Sequence, residues 1–86
     1  MFTVYILYSE KLQRRYIGST DDIKRRFKEH NSGKVSFSSK GVPWKIIYLE
    51  MFTNKKDAQN EERFLKTGKG RDRMKYLLQN TLGRFA

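Results

Sequence analysis

The sequence predicts an α+β fold: a small antiparallel sheet in the order ββαβαα, with helices packed around it. Three observations predict it. Two apolar stretches, 2–9 and 44–52, are rich in the β-branched and aromatic residues that suit a pleated surface. The polar stretch Glu10 to Arg14 is short enough to turn the first strand back as a hairpin. Three later stretches carry helical spacing with capping residues ahead of them or glycines behind.

Residues 2–9 are apolar on both alternating faces, which predicts a strand buried on both sides. Strand 15–19 follows, containing Tyr16, Ile17 and Gly18. Pairing Ser9 with Arg14, and so Leu7 with Tyr16, puts Tyr5 and Tyr16 on one face, because side chains alternate. Thr20 is placed to cap a helix over 21–30, with Asp21 and Asp22 in its first turn. Ile23 and Phe27 share one face of that helix, while Arg26 and His30 share another. Asn31-Ser32-Gly33 reads as its stop, Gly33 or Asn31 taking the left-handed conformation.

Residues 34–43 read as a mobile loop with a lone aromatic, Phe37. Trp44 to Phe52 is the strongest strand signal and is expected to be central. Asn54 can cap the second helix, with Asp57 three residues on. That helix is expected to run to about Lys66 and end at Gly68 or Gly70. A last helix is expected from about Arg71 to Asn80, with Met74, Leu77 and Leu78 inward. No repeat or linker divides the chain, so residues 1–86 are read as one domain.

Composition narrows the function. With no cysteine there is no disulfide framework or thiolate metal site, and one histidine excludes a His-rich zinc site. Carboxylates are left as the ligands for any metal. The apolar start is too short to span a bilayer and has no basic leader, so a cytoplasmic protein without membrane contact is expected. Nineteen Lys and Arg against nine acidic residues give a charge of +10. It is spread evenly: nine basic against four acidic in residues 1–43, ten against five in 44–86. A domain this basic favours a polyanion, of which nucleic acid is the commonest, although a high-pI surface without a partner has the same composition. No recognition helix or stacking motif stands out, so binding is expected to be electrostatic and largely indifferent to sequence.

Four constellations carry candidate chemistry. Tyr5 and Tyr16 stand on the two arms of the hairpin, where tyrosines are ordinarily packing residues. Arg26 has a forked donor suited to phosphate, and His30, one turn on, can exchange a proton near neutral pH. Glu61 and Glu62 both border the Ala58, Phe64 and Leu65 face of the second helix, and periodicity does not choose between them as a cation ligand. Lys66-Thr67-Gly68-Lys69-Gly70-Arg71 has the composition of a phosphate loop but neither its spacing nor a preceding strand. It reads instead as a basic helix–helix connection able to touch a nucleic-acid backbone.

Together these residues resemble the GIY-YIG nuclease family over nearly the whole chain. The first signature appears as Thr3-Val4-Tyr5 and the second as Tyr16-Ile17-Gly18, eleven residues on from Tyr to Tyr. Thr3 and Val4 depart from the usual Gly and Ile, while the tyrosine is retained. Arg26, ten residues after Tyr16, matches the family's helix arginine, and His30 its histidine. The family's metal-binding glutamate aligns with Glu62 through the run Ala58 to Lys66, and this alignment selects Glu62 over Glu61. A downstream asparagine of some members has no match at close spacing, Asn80 lying further along. Asn31-Ser32-Gly33 resembles the small stand-alone members, which are similar to the nuclease domain of the excision-repair C subunit.

The resemblance implies an endonuclease that hydrolyses DNA phosphodiester bonds with Mg²⁺ or Mn²⁺ held at Glu62. It assigns catalytic roles to Tyr5, Tyr16, Arg26, His30 and Glu62. Gly18, Ser19, Thr20, Lys66, Lys69 and Arg71 are expected to contact nucleic acid. DNA repair, within a larger processing complex or alone, is the implied setting. The alternative is a non-catalytic nucleic-acid binding module that retains the nuclease fold.

Overall fold

A computed structural model describes residues 1–82 of the chain. Strand β1 (Phe2–Ser9) is buried at every position after Phe2. Its neighbours are β2 (Arg14–Thr20) on one side and β3 (Trp44–Phe52) on the other, both antiparallel. β1 is therefore the central strand. The expectation that 44–52 would be central is corrected: β3 lies at the edge, with Ile46, Leu49 and Met51 exposed. Hydrophobicity marks a strand, but pairing on both sides is what makes it central. The hairpin register is the expected one, with Ser9 opposite Arg14 and Leu7 opposite Tyr16.

Helices cover both faces of β1. On the even-numbered side, Val4 and Ile6 pack with Ala58 and Leu65 of α2 (Lys55–Leu65), Met74 of α3 (Gly68–Leu77) and Leu78. On the odd-numbered side, Tyr5 and Leu7 pack with Trp44 and with Ile23 and Phe27 of α1 (Ile23–Asn31). Burying a side chain such as Leu65 or Met74 stabilises the fold by ~1.5–3 kcal/mol. A short final helix, α4, spans Gln79–Leu82. Among the described residues, no helix is long and apolar enough to cross a membrane.

A register shift in the β1–β3 ladder re-aims one side chain. Ile6 pairs with Tyr48 but Leu7 pairs with Ile46, leaving Ile47 as the extra residue of a bulge. Tyr48 and Phe52 pack with the core under α2 and α3, while the equally even-numbered Trp44 packs on the opposite face. Strict alternation over 44–52 would have placed all three together.

The helix ends differ in detail from the sequence reading. Asp22 caps α1, accepting a hydrogen bond from the Arg25 N–H at 3.1 Å. Thr20 does not cap it; its Oγ1 accepts from the Asp22 N–H at 3.1 Å, one residue too early. Asn54 caps α2 as expected. Gly68 and Gly70 do not end that helix: Thr67 caps α3, whose first turn contains both glycines, and α3 stops at Leu77 rather than running to Asn80. Met74 and Leu78 face inward, whereas Leu77 is partly exposed.

Gly70 sits where α3 crosses the end of α2. A Cβ there would overlap the Phe64 carbonyl and stand 2.5 Å from Leu65 Cα, both rigid backbone. At Gly68 a Cβ would meet nothing within 4 Å. Gly70→Ala should therefore lower stability by about 1–3 kcal/mol through overpacking. Gly68→Ala should be neutral or stabilise by up to ~1 kcal/mol. Urea midpoints of the two variants decide the matter, and equal midpoints would remove the close crossing as the reason for Gly70.

Candidate active site

β1 and β2 project Tyr5 and Tyr16 to the α1 face, with ring centroids 6.2 Å apart and nearly parallel planes. Gly18 pairs directly with Tyr5. The Tyr5 phenol lies across it, so a Cβ at 18 would stand 2.5 Å from Tyr5 Oη. The missing side chain thus has an internal reason: it is the channel through which the phenol reaches the edge of β2.

At that edge Tyr5 Oη is hydrogen-bonded to His30 Nε2 at 3.1 Å. His30 is fully buried, with Nδ1 2.8 Å from Ser38 Oγ. Either the phenol donates to Nε2 while Nδ1–H donates to Ser38, or both donors are reversed. Burial pushes the His30 pKa down, and the Arg26 charge pushes it further. The imidazole is therefore neutral near neutral pH. Burial pushes the Tyr5 pKa up, and the neighbouring Arg26 guanidinium only partly opposes this. Arg26 itself is half-buried and paired to Glu29 at 3.3 Å.

Glu62 approaches from α2, on the other side of β2. Ser19 Oγ donates to its Oε1 at 2.6 Å and Lys66 Nζ to its Oε2 at 2.8 Å. Burial acts to raise its pKa, but the Lys66 and Ser19 hydrogen bonds outweigh that and hold it below the usual carboxylate range. Its charge is close enough to raise the Tyr5 pKa slightly in turn. Glu61, about 100° around the helix, points elsewhere. It lines a cleft with Glu50, Phe52 and Asn60 beside β3. The structure thus separates two glutamates that periodicity could not.

A cleft of about 550 Å³ opens beside Tyr5's end of the site, lined by Ser19, Thr20, Arg26, Glu29, Lys55 and Gln59. A second, basic groove brings Arg14, Arg15, Lys66 and Arg71 together; Lys69 does not line it. Sequence reading missed Ser38, Glu29 and Lys55. Ser38 carries no periodic signal, but Lys55 could have been found at the start of the α2 helix that bears Glu62.

Among the described residues, no three His, Cys, Asp or Glu side chains converge as a metal cage. A lone ionised carboxylate still fits Mg²⁺ or Mn²⁺, because Mg²⁺ keeps several waters and needs only one or two carboxylates plus substrate phosphate. The fit requires Lys66 to release one oxygen, which a flexible, half-exposed lysine can do.

The sequence pattern of the GIY-YIG catalytic domain matches residues 1–76. A UPF0213 protein of Streptococcus pneumoniae is 38% identical over 66 residues, covering 76% of this chain and 67% of its own. UPF0213 proteins of Pediococcus acidilactici and Clostridium perfringens are 35% and 39% identical, over 92% and 73% of this chain and 83% and 68% of theirs. No solved structure gives a significant match.

His30 in the site and Glu50 in the cleft beside β3 make opposed contributions to stability against pH. An unfolded histidine titrates near ~6.5, and folding lowers that for His30, so the unfolded chain takes the proton first. Its contribution is complete above ~6.5 and is lost as pH falls. Glu50 is pushed up to about 7, by burial first and by Glu61 beside it. Its contribution is present at low pH and is lost as pH rises from ~4.5 to about 7. The expected result is that Glu50→Gln exposes a steeper gain in Tm between pH 5 and 7. Adding His30→Gln should flatten that gain, and a slope that survives in the double variant would rule out His30 as its source.

Proposed function

The chain belongs to the GIY-YIG family, a nuclease family, and from that premise we propose that it is a divalent-metal-dependent endonuclease hydrolysing DNA phosphodiester bonds. The observation that carries this reading is the position of the Tyr5 phenol, passed over Gly18 into contact with neutral His30 and beside Arg26. Glu62 lies across the same strand edge, ionised and within electrostatic reach. Residues 1–86 would then act as one nuclease domain.

Hydrolysis needs an attacking water placed in line, charge stabilisation at phosphorus and help for the leaving oxygen. Tyr5 cannot serve as a standing phenolate near neutral pH, because burial raises its pKa. As a neutral phenol bonded to a neutral imidazole it can relay a proton instead. In the tautomer whose Nε2 accepts from the phenol, the water's proton moves to Tyr5 Oη while the Tyr5 proton moves to His30 Nε2, so no free phenolate forms and His30 becomes the imidazolium. The water oxygen bonds to phosphorus and the ester oxygen departs with its electron pair. Tyr16, 4.7 Å from the His30 ring and stacked on Tyr5, holds both rings in line. Arg26 stabilises the negative charge that builds on the phosphoryl oxygens. When bound at Glu62, the cation supplies Lewis-acid stabilisation of the phosphate and the leaving oxygen.

Ser19 and Thr20 line the cleft where the phosphate would lie, while Gly18, buried under the Tyr5 phenol, serves the site through Tyr5 and not by its own contact with the backbone of the DNA. Lys66 and Arg71 would hold the flanking backbone, and Lys69, which does not line that groove, would add only its charge. A cytoplasmic role in DNA repair, alone or in a larger complex, fits this reading.

Labelled DNA structures incubated with Mg²⁺, Mn²⁺ or EDTA test it directly. Glu62→Gln keeps the side-chain volume and should lower metal-dependent scission about a hundredfold or more. Its DNA affinity without metal should stay the same or rise as anionic repulsion is lost. Glu61→Gln, which removes the same charge one position away, should cut within about threefold of the parent. Equal cutting by both variants would end the metal-site assignment, and retention of every DNA without scission would favour the non-catalytic binding module.

A further inference from the structure

Phe37 has no role in the chemistry above, yet it is the most exposed large apolar side chain among the described residues, at 78%. Scattered exposed apolar residues are ordinary, but this one is held in place. The next residue, Ser38, is fully buried and bonded to His30 Nδ1. The Ser38 carbonyl accepts from Trp44 Nε1 at 2.7 Å, and the Ser38 N–H donates to the Val35 carbonyl at 3.1 Å. The Phe37 ring meets the edge of Tyr16 at a centroid distance of 5.4 Å. Sequence alone shows a lone phenylalanine in a Ser- and Lys-rich stretch; the fold fixes it at the mouth of the site, one aromatic ring away from Tyr5.

The surroundings select the ligand class. A pocket of about 340 Å³ is lined by Arg15, Tyr16, Ile17, Phe37 and Lys66. It shares Arg15, Ile17 and Lys66 with the groove that carries Arg14 and Arg71. An apolar protein partner would have to bury Arg14, Arg15 and Arg71 without supplying counter-charges. A nucleotide satisfies both halves: phosphates reach the cations, and a base offers a π-face to the exposed ring. That face is free only when the base has left the duplex stack.

We propose that Phe37 is a stacking platform for an unpaired nucleobase, and that the preferred DNA carries at least one unpaired nucleotide beside the scissile phosphate. The proposal rests on the nuclease reading for the identity of the polymer and adds a substrate class to it. It adds a stacking contact to the electrostatic, largely sequence-indifferent binding expected from composition.

Binding is measured in EDTA, so that cleavage plays no part, on three DNAs of equal length at one salt concentration. These are a single strand, a splayed duplex with unpaired arms and a blunt duplex, the unpaired positions carrying 2-aminopurine. Phe37→Ala should weaken the single-stranded and splayed DNAs about tenfold, as expected for losing one base–aromatic stack, and the blunt duplex less than twofold. Phe37→Trp should restore affinity and quench 2-aminopurine in the unpaired positions. Phe37→Leu, apolar without a π-face, should recover less than Phe37→Trp. Equal losses on all three DNAs, or none, would overturn the proposal. Metal-dependent scission persisting after that outcome would leave the nuclease reading intact. Selective loss without scission by any protein would retain the platform and remove the nuclease.

Discussion

His30 joins three parts of the chain with two ring nitrogens. Nε2 meets the phenol of the central strand, Nδ1 meets Ser38 in the loop, and the residue itself belongs to α1. A fully buried imidazole left with an unmade hydrogen bond would cost about 1–3 kcal/mol. The phenol and the loop hydroxyl are thus held at fixed places by the same requirement. The arrangement depends on Gly18, since any side chain there would push the Tyr5 phenol off its line to His30. Burial that fixes the geometry also sets the chemistry, by keeping the ring neutral and the phenol protonated.

β2 is the second organising feature because both of its faces contribute while, among the described residues, no strand pairs with its outer edge. Tyr16 points to the α1 side, and Ser19 points to the α2 side, where it meets Glu62. A site spread over two faces of a sheet is normally divided by the sheet. At an edge strand the division ends, so groups from α1 and α2 can approach one ligand around it. The basic side chains Arg14, Arg15, Lys66 and Arg71 continue along the same edge. They gather part of the chain's +10 charge along the edge that also carries Tyr16 and Ser19.

Much of this was legible in the sequence, for definable reasons. Alternation makes Tyr5 and Tyr16 share a face only if paired residue numbers add to an odd sum, and the Ser9–Arg14 pairing across Glu10–Gln13 that satisfies this is the one the hairpin adopts. Asn54 announced its helix because capping is a local interaction. What failed was non-local. Nothing in the run Trp44 to Phe52 says that it pairs on one side only, and the bulge at Ile47 breaks the alternation on which a face assignment relies. Gly68 and Gly70 look like a helix stop until the crossing of α2 and α3 gives Gly70 a packing reason. Ser38 is one serine among several, and only the buried nitrogen of His30 distinguishes it. The choice of Glu62 over Glu61 came from family resemblance; in space Glu62 lies beside Ser19, whereas Glu61 lines the cleft beside β3.

Asn31 pairs its side-chain amide with the Trp44 backbone, its Oδ1 accepting from the Trp44 N–H at 2.6 Å and its Nδ2 donating to the Trp44 carbonyl at 3.1 Å. The amide acts as a clasp, so residues 32–43 form a closed arc whose two ends are held by bonds the arc does not supply. Loop-closure entropy grows slowly with length, each doubling adding only about 0.6 kcal/mol. Arcs of other lengths and compositions can therefore be mounted on the same clasp, provided one hydroxyl still reaches His30. The barrel of the tool stays as it is while the bit is exchanged, which makes this arc the natural place for lineages, or designers, to retune what the protein grips.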